Sequence, residues 1–143
     1  MENHIFDTGG YQEKQNHIRN LIILPALEVI ENIYQGREYK VKLTTSELST
    51  ICPKTGLPDF AVLTISYLPD QFLVEEKSLK LYLTSYRNLG IYQEHATNKI
   101  LEDFVAKINP LKANITATWN NRGGIGVTVE NEWSRDKGYN NKI

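Results

Sequence analysis

The apolar residues between Tyr39 and Val129 change period twice, and that change limits the fold more than any other feature. Tyr39, Val41 and Leu43 alternate with Lys40, Lys42 and Thr44, the two-residue period of a half-buried strand. Phe60 to Tyr67 is rich in β-branched and aromatic residues and reads as a second strand, ended by Leu68-Pro69-Asp70. Leu79, Tyr82, Leu83 and Tyr86 then follow i, i+3, i+4, i+7, one stripe of a helix over Lys77 to Tyr86. After the turn Arg87-Asn88-Leu89-Gly90, a longer helix from about Tyr92 to Ile108 buries Ile100, Leu101, Phe104, Val105 and Ile108, and Asn109-Pro110 stops it. Ile115, Ala117 and Trp119 alternate with Thr116 and Thr118. Ile125, Val127 and Val129 alternate again beyond the turn Asn120 to Gly124, which predicts a hairpin.

The predicted order is β-β-α-α-β-β, an α+β fold with a four-stranded antiparallel sheet and both helices on one face. Such a sheet leaves its other face and both edges open, so oligomerisation is expected. The 143 residues suit one domain, placed at 21–133. Residues 1–20 are polar and expected to be flexible, 20–33 mix apolar residues with Pro25 and read as an arm that packs somewhere, and 134–143 form a polar tail. A formal net charge of -1 gives no global basic field for nucleic acid or anionic lipid. The most apolar stretch, Leu21 to Ile30, is too short to span a bilayer. One cysteine forms no internal disulfide, which fits a cytoplasmic protein.

That cysteine lies in Ile51-Cys52-Pro53-Lys54-Thr55-Gly56-Leu57-Pro58-Asp59-Phe60. A thiolate attacks electrophilic carbon, and an acid across a turn protonates what forms. A buried structural cysteine is the plainer reading of Cys52 alone. No dinucleotide-binding glycine pattern or phosphate loop is present, and His4, His17 and His95 have no metal-ligand spacing with Cys52. Val74-Glu75-Glu76-Lys77-Ser78-Leu79-Lys80 opens the first helix. Its acids suit the positive end of the helix dipole, and Lys77 and Lys80, three apart, suit phosphates. Gln93-Glu94 opens the second helix. Arg122, in a Gly-rich turn, is either a solvated hairpin residue or a fork for an anion.

Taken in order, Cys52 to Phe60, Val74 to Tyr82, Tyr86-Arg87-Asn88 with Glu94, and Arg122-Gly123-Gly124 resemble the NADPH-dependent 7-cyano-7-deazaguanine reductases, also called QueF. The resemblance covers roughly residues 20 to 130 and is to the short, single-domain form. It implies the tunnel fold, in which five β-β-α-α-β-β subunits close a barrel and two pentamers stack into a homodecamer. It implies reduction of the nitrile of 7-cyano-7-deazaguanine to an aminomethyl group, on the route to the tRNA nucleoside queuosine, with NADPH as cofactor. By that resemblance Cys52 adds to the nitrile carbon to give a thioimide and Asp59 protonates the nitrogen. Glu94, Glu75, Gln93 and Ser78 contact the base, Glu75 from across a subunit boundary, and Lys77, Lys80 and Arg122 hold NADPH phosphates.

Two positions depart from the family pattern. Gln93 replaces a histidine directly before the matching glutamate, and it hydrogen-bonds but carries no proton at neutral pH. Glu76 adds negative charge where the family commonly has Ser or Leu. Two alternatives stay open. One is the related archaeosine-pathway amidinotransferase, which shares the cysteine and base pocket but not NADPH. The other is a base-binding oligomer that forms the thioimide and reduces it weakly or not at all.

Overall fold

The structure, a computed structural model, describes residues 24–139. Its strands are β1 (Val29–Glu31), β2 (Val41–Ile51), β3 (Pro58–Leu68), β4 (Phe72–Val74), β5 (Lys112–Arg122), β6 (Ile125–Ser134) and β7 (Gly138–Tyr139). The helices are α1 (Glu76–Thr84), which runs on into a 3-10 turn at Ser85–Asn88, and α2 (Gln93–Ile108). The main sheet is antiparallel in the order β2-β3-β5-β6-β7, and β1 pairs with β4 in a separate ribbon.

The central β-β-α-α-β-β order and the α+β class agree with the sequence expectation. The four-stranded sheet does not: among the described residues the main sheet has five strands. Past Ser134, Lys137 N–H bonds Ser134 O (3.3 Å) and Gly138–Tyr139 lie back along β6. The β1–β4 ribbon was also not foreseen, since three residues are too few to show a period. The expected flexible segment at 1–20 lies outside the described residues.

Alternation gives the sheet one buried face. Ala61, Leu63, Ile65 and Tyr67 on β3 and Ala113, Ile115, Ala117 and Trp119 on β5 all point into it. The stripes of α1 (Leu79, Tyr82, Leu83) and α2 (Ile100, Leu101, Phe104, Val105, Ile108), with Tyr86, close over them as one core. Asn109 ends α2 in the left-handed conformation (φ 49°), where Asn is among the few tolerated side chains. Tyr82, Tyr86, Asp103 and Lys99 clamp the helices together: Tyr82 Oη is 2.8 Å from Tyr86 Oη and donates to Asp103 Oδ2 (2.5 Å), which pairs with Lys99 Nζ (3.1 Å). Within the described part of the segment expected to form an arm, Leu27 is buried in the core.

Candidate active site

Cys52 is the first residue beyond β2, in a turn that its own backbone closes. Its N–H donates to Leu57 O and its carbonyl accepts from Gly56 N–H, both at 2.8 Å. Gly56 sits at φ 72°, where a side chain would be strained, so the Pro-Lys-Thr-Gly stretch returns the chain at once into β3. That return places Asp59 on the same sheet face as Ala61 and Leu63, directly opposite Thr50. Both Cys52 (4% exposed) and Asp59 (2%) are buried.

A parallel bridge brings the start of α2 to the same place. Ile51 N–H donates to Leu89 O (3.0 Å) and Ile91 N–H to Ile51 O (3.1 Å), one residue before Cys52. Gln93 and Glu94 follow within one turn. Gln93 is buried, and its carbonyl accepts from Thr97 Oγ1 (2.8 Å), which in turn accepts from Trp119 Nε1 (3.4 Å). Glu94 is exposed, and its charge is felt at Asp59 and Arg122.

Arg122 arrives from the far end of β5. Its Nη1 lies 2.8 Å from Asp59 Oδ1. The approach is an ion-pair distance without aligned N–H geometry, so Oδ1 remains buried with charge nearby and no hydrogen-bond donor. The Thr50 hydroxyl opposite is likewise buried and unpartnered.

The environment pushes the Cys52 thiol and the Asp59 carboxyl in opposite directions. Burial raises the Cys52 thiol, but hydrogen bonds from the Thr55 hydroxyl, the Arg122 guanidinium and the Thr55 and Lys54 backbone outweigh it, so the thiol ionises more readily than usual. Burial raises the Asp59 carboxyl; Arg122 opposes that and Glu94 reinforces it, and the group stays above the usual carboxylate range. A thiol made easier to ionise and a carboxyl made harder to ionise thus flank one short turn.

The other expected residues stand at the start of α1. Glu75 is its N-cap, with its carboxylate accepting from Lys77 N–H (2.9 Å) and Ser78 N–H (2.6 Å). Those bonds hold its acidity stronger than usual. Glutamate is not a favoured N-cap residue, so local helix stability alone does not explain the choice. Ser78 is buried, with its hydroxyl donating to Glu75 O (2.7 Å) and accepting from Glu28 N–H (2.9 Å). Lys77 and Lys80 are exposed and make no ion pair among the described residues. Lys80 stands over a groove of about 210 Å³ floored by Leu43, Leu63, Ile65, Leu79 and Leu83. Leu63 is four residues along β3 from Asp59, about 13 Å at ~3.3 Å per residue. The structure therefore brings together Cys52, Asp59, Gln93, Glu94 and Arg122. Within one chain it leaves Glu75, Lys77, Ser78 and Lys80 as a second cluster.

Sequence reasoning missed Thr55 and Thr50. Thr55 was findable, since a hydroxyl inside a Cys-to-Gly turn is well placed to donate to the sulfur. Thr50 was not, because its place depends on the β2–β3 register.

Comparison with known proteins decides the family. The model of the family described as QueF-like protein matches residues 58–137, more than half of the chain. The chain belongs to the QueF-like family. The matched span holds every site residue named above except Thr50, Cys52 and Thr55, which lie just upstream. Among QueF-like relatives, a protein of Syntrophus aciditrophicus (strain SB) is 52% identical over 109 residues, 76% of this chain and 78% of that protein. One from Thermoanaerobacter pseudethanolicus (strain ATCC 33223 / 39E) is 45% identical over 132 residues, 92% of this chain and 93% of that protein. Both are named NADPH-dependent 7-cyano-7-deazaguanine reductase. The crystal structure of the archaeosine synthase QueF-Like in the apo form is similar in fold, with a TM-score of 0.61 and 26% identity over 65% of this chain and 91% of that one. No helix among the described residues is long and apolar enough to cross a membrane.

Proposed function

We propose that this chain reduces the nitrile of 7-cyano-7-deazaguanine to the aminomethyl group, using NADPH, as the names of its relatives at 52% and 45% identity describe. One observation carries the chemistry: Cys52 and Asp59, shifted in opposite directions, share Arg122. The Cys52 thiolate forms a C–S bond to the nitrile carbon while one C–N π bond breaks. The released electron pair goes to nitrogen, which takes the proton from Asp59. The product is a neutral thioimide and an Asp59 carboxylate. Negative charge thus leaves the sulfur and appears on Asp59, and the same guanidinium lies against both. No charge has to be separated across an apolar site, which keeps the barrier low.

In this reading Glu94 and the buried Gln93 contact the base beside Cys52. Lys77 and Lys80, exposed and without an ion pair among the described residues, have the chemistry to hold NADPH phosphates. Arg122 is 44% exposed and retains N–H groups for an anion as well. Bound NADPH supplies the hydride. Because the two clusters lie apart along the sheet, the complete site is proposed to form between copies, with Glu75 reaching the base from a neighbour. The open β2 edge, and β6 covered by β7 only at Trp133–Ser134, leave room for the proposed homodecamer. Its location is proposed to be the cytoplasm.

The test is mass spectrometry of protein with 7-cyano-7-deazaguanine alone, then with NADPH. Wild type gains the mass of the substrate on Cys52, Cys52→Ala does not, and NADPH discharges the adduct with loss of cofactor absorbance. No adduct overturns the mechanism. An adduct that NADPH leaves untouched supports the weakly reducing base-binding oligomer instead. The archaeosine synthase fold match does not displace the reductase reading, since it stands at 26% identity.

A further inference from the structure

Thr50 is buried at a position where a valine would serve the core better. It follows Leu48 by two residues on β2, so alternation puts both on the inner face of the sheet, and both are 0% exposed. Valine has the same shape and no polar atom, whereas a buried hydroxyl without a partner loses its hydrogen bonds to water and gains none. The fully buried hydroxyl of Thr97 has its bonds: Oγ1 donates to Gln93 O (2.8 Å) and accepts from Trp119 Nε1 (3.4 Å). Thr50 Oγ1 has none, and among the described residues the one other buried side-chain atom in that condition is Asp59 Oδ1.

These two atoms belong to residues that are direct partners across the β2–β3 ladder. Directly opposite residues on one face have Cβ atoms about 4.5–5.5 Å apart, a gap that a hydroxyl and a carboxylate close by rotation about their side-chain bonds. Thr44 and Thr64 show the reach on the same two strands. They too are directly opposite, and with a shorter partner than aspartate their hydroxyls stand 3.3 Å apart. Arg122 brings charge to Asp59 Oδ1 at 2.8 Å but no aligned N–H, and it is 44% exposed. Glu94 brings only like charge. We propose that Thr50 is a positioning residue for Asp59: its hydroxyl donates to Oδ1 and fixes the plane of the carboxyl, so that the other oxygen presents its proton to the nitrogen of the nitrile under attack by Cys52. The inference rests on the reading of Asp59 as the proton donor. When that proton leaves, its bonding electron pair stays on Asp59. The Thr50 hydroxyl keeps its own proton and becomes a charge-assisted donor to the carboxylate. The bond is stronger after the transfer than before it, so it lowers the barrier instead of only holding the ground state.

The experiment is single-turnover formation of the Cys52 adduct at saturating 7-cyano-7-deazaguanine without NADPH, followed by mass spectrometry. Thr50→Val forms the adduct about tenfold more slowly, the effect of one hydrogen bond to a charged group. Its affinity for the base is unchanged by calorimetry, measured beside Cys52→Ala so that no adduct forms. Thr50→Ser, which keeps the hydroxyl, recovers most of the rate. Added to Asp59→Asn, Thr50→Val costs nothing further, because the hydroxyl acts only through the carboxyl. A Thr50→Val variant at the wild-type rate overturns the proposal. So does a Thr50→Ser variant as slow as Thr50→Val, or a further loss when Thr50→Val is added to Asp59→Asn. If Thr50→Val does not fold, Thr50→Ala takes its place under the same criteria. Wild type that forms no adduct overturns the reading of Cys52 and Asp59 itself. Wild type that forms it beside an unslowed Thr50→Val removes only the role of Thr50.

Discussion

Ser78→Ala separates two roles for one hydroxyl. The sequence resemblance gives Ser78 to the substrate, while the structure spends both of its hydrogen bonds inside the fold. The hydroxyl donates to Glu75 O and accepts from Glu28 N–H. Glu28 O in turn accepts from Glu75 N–H at 2.9 Å, so the arm leading into β1 is tied to the α1 N-cap by a closed set of bonds. Alanine removes two of them. Each is worth about 0.5–1.5 kcal/mol net, and water recovers part of the loss at Glu28, which is exposed. The expected cost is about 2 kcal/mol. For a chain of this size roughly 3–5 °C of melting temperature goes with each kcal/mol, so Tm falls by roughly 6–10 °C. The assay is thermal unfolding by circular dichroism at one fixed protein concentration, because association would make Tm concentration-dependent. Well below Tm, the KM for the nitrile substrate stays at the wild-type value. Ser78→Thr, which keeps the hydroxyl, retains most of the stability. An unchanged Tm with a raised KM would refute the reasoning and return Ser78 to the substrate.

Asp59→Asn lowers turnover about 10²- to 10⁴-fold, the usual loss when a general acid is removed. It also raises Tm at pH 8 but not at pH 4. Burial lifts the folded carboxyl above its ordinary value, with Arg122 opposing and Glu94 adding, so its stabilising contribution is present at low pH and is lost as pH rises through the folded value. A Tm lower than wild type at pH 8 contradicts this. Lys77→Ala and Lys80→Ala each raise the KM for NADPH about tenfold, one lost charge-assisted phosphate bond of about 1.5 kcal/mol, with base affinity unchanged by calorimetry. Normal NADPH use by both variants makes them merely solvated. Gln93→His speeds discharge of the Cys52 adduct by NADPH and leaves adduct formation unchanged, because the first step draws its proton from Asp59. Equal single-turnover rates make Gln93 a neutral replacement.

The helices were legible because their signal is local and long. The Leu79, Tyr82, Leu83, Tyr86 stripe shows the right period within eight residues, and all four side chains are buried. The four main strands were legible for the same reason, each having room for several alternations. β1, β4 and β7 have three, three and two residues. At that length no period exists, and pairing with a partner distant in sequence decides the strand: Val29 opposite Val74, Ser134 opposite Gly138.

The site divides along the same line. Cys52 and Asp59 were visible as chemistry because they share one short turn. Which residue would charge that turn was not visible, since Arg122 is sixty-three positions from Asp59 in the chain. In sequence, Asn120 to Gly124 looks like one loose turn. In the structure only Gly123 and Gly124 form the turn, and the two asparagines become a bulge because the buried Trp119 holds one register and the glycine pair imposes another. Neither constraint alone tells which way Arg122 points. Their one-residue conflict does. A substitution that eased the conflict would leave the composition of the site intact and turn its only guanidinium to the opposite face of the sheet. Asp59 would then lose its counter-charge, and the thiol one of its several donors.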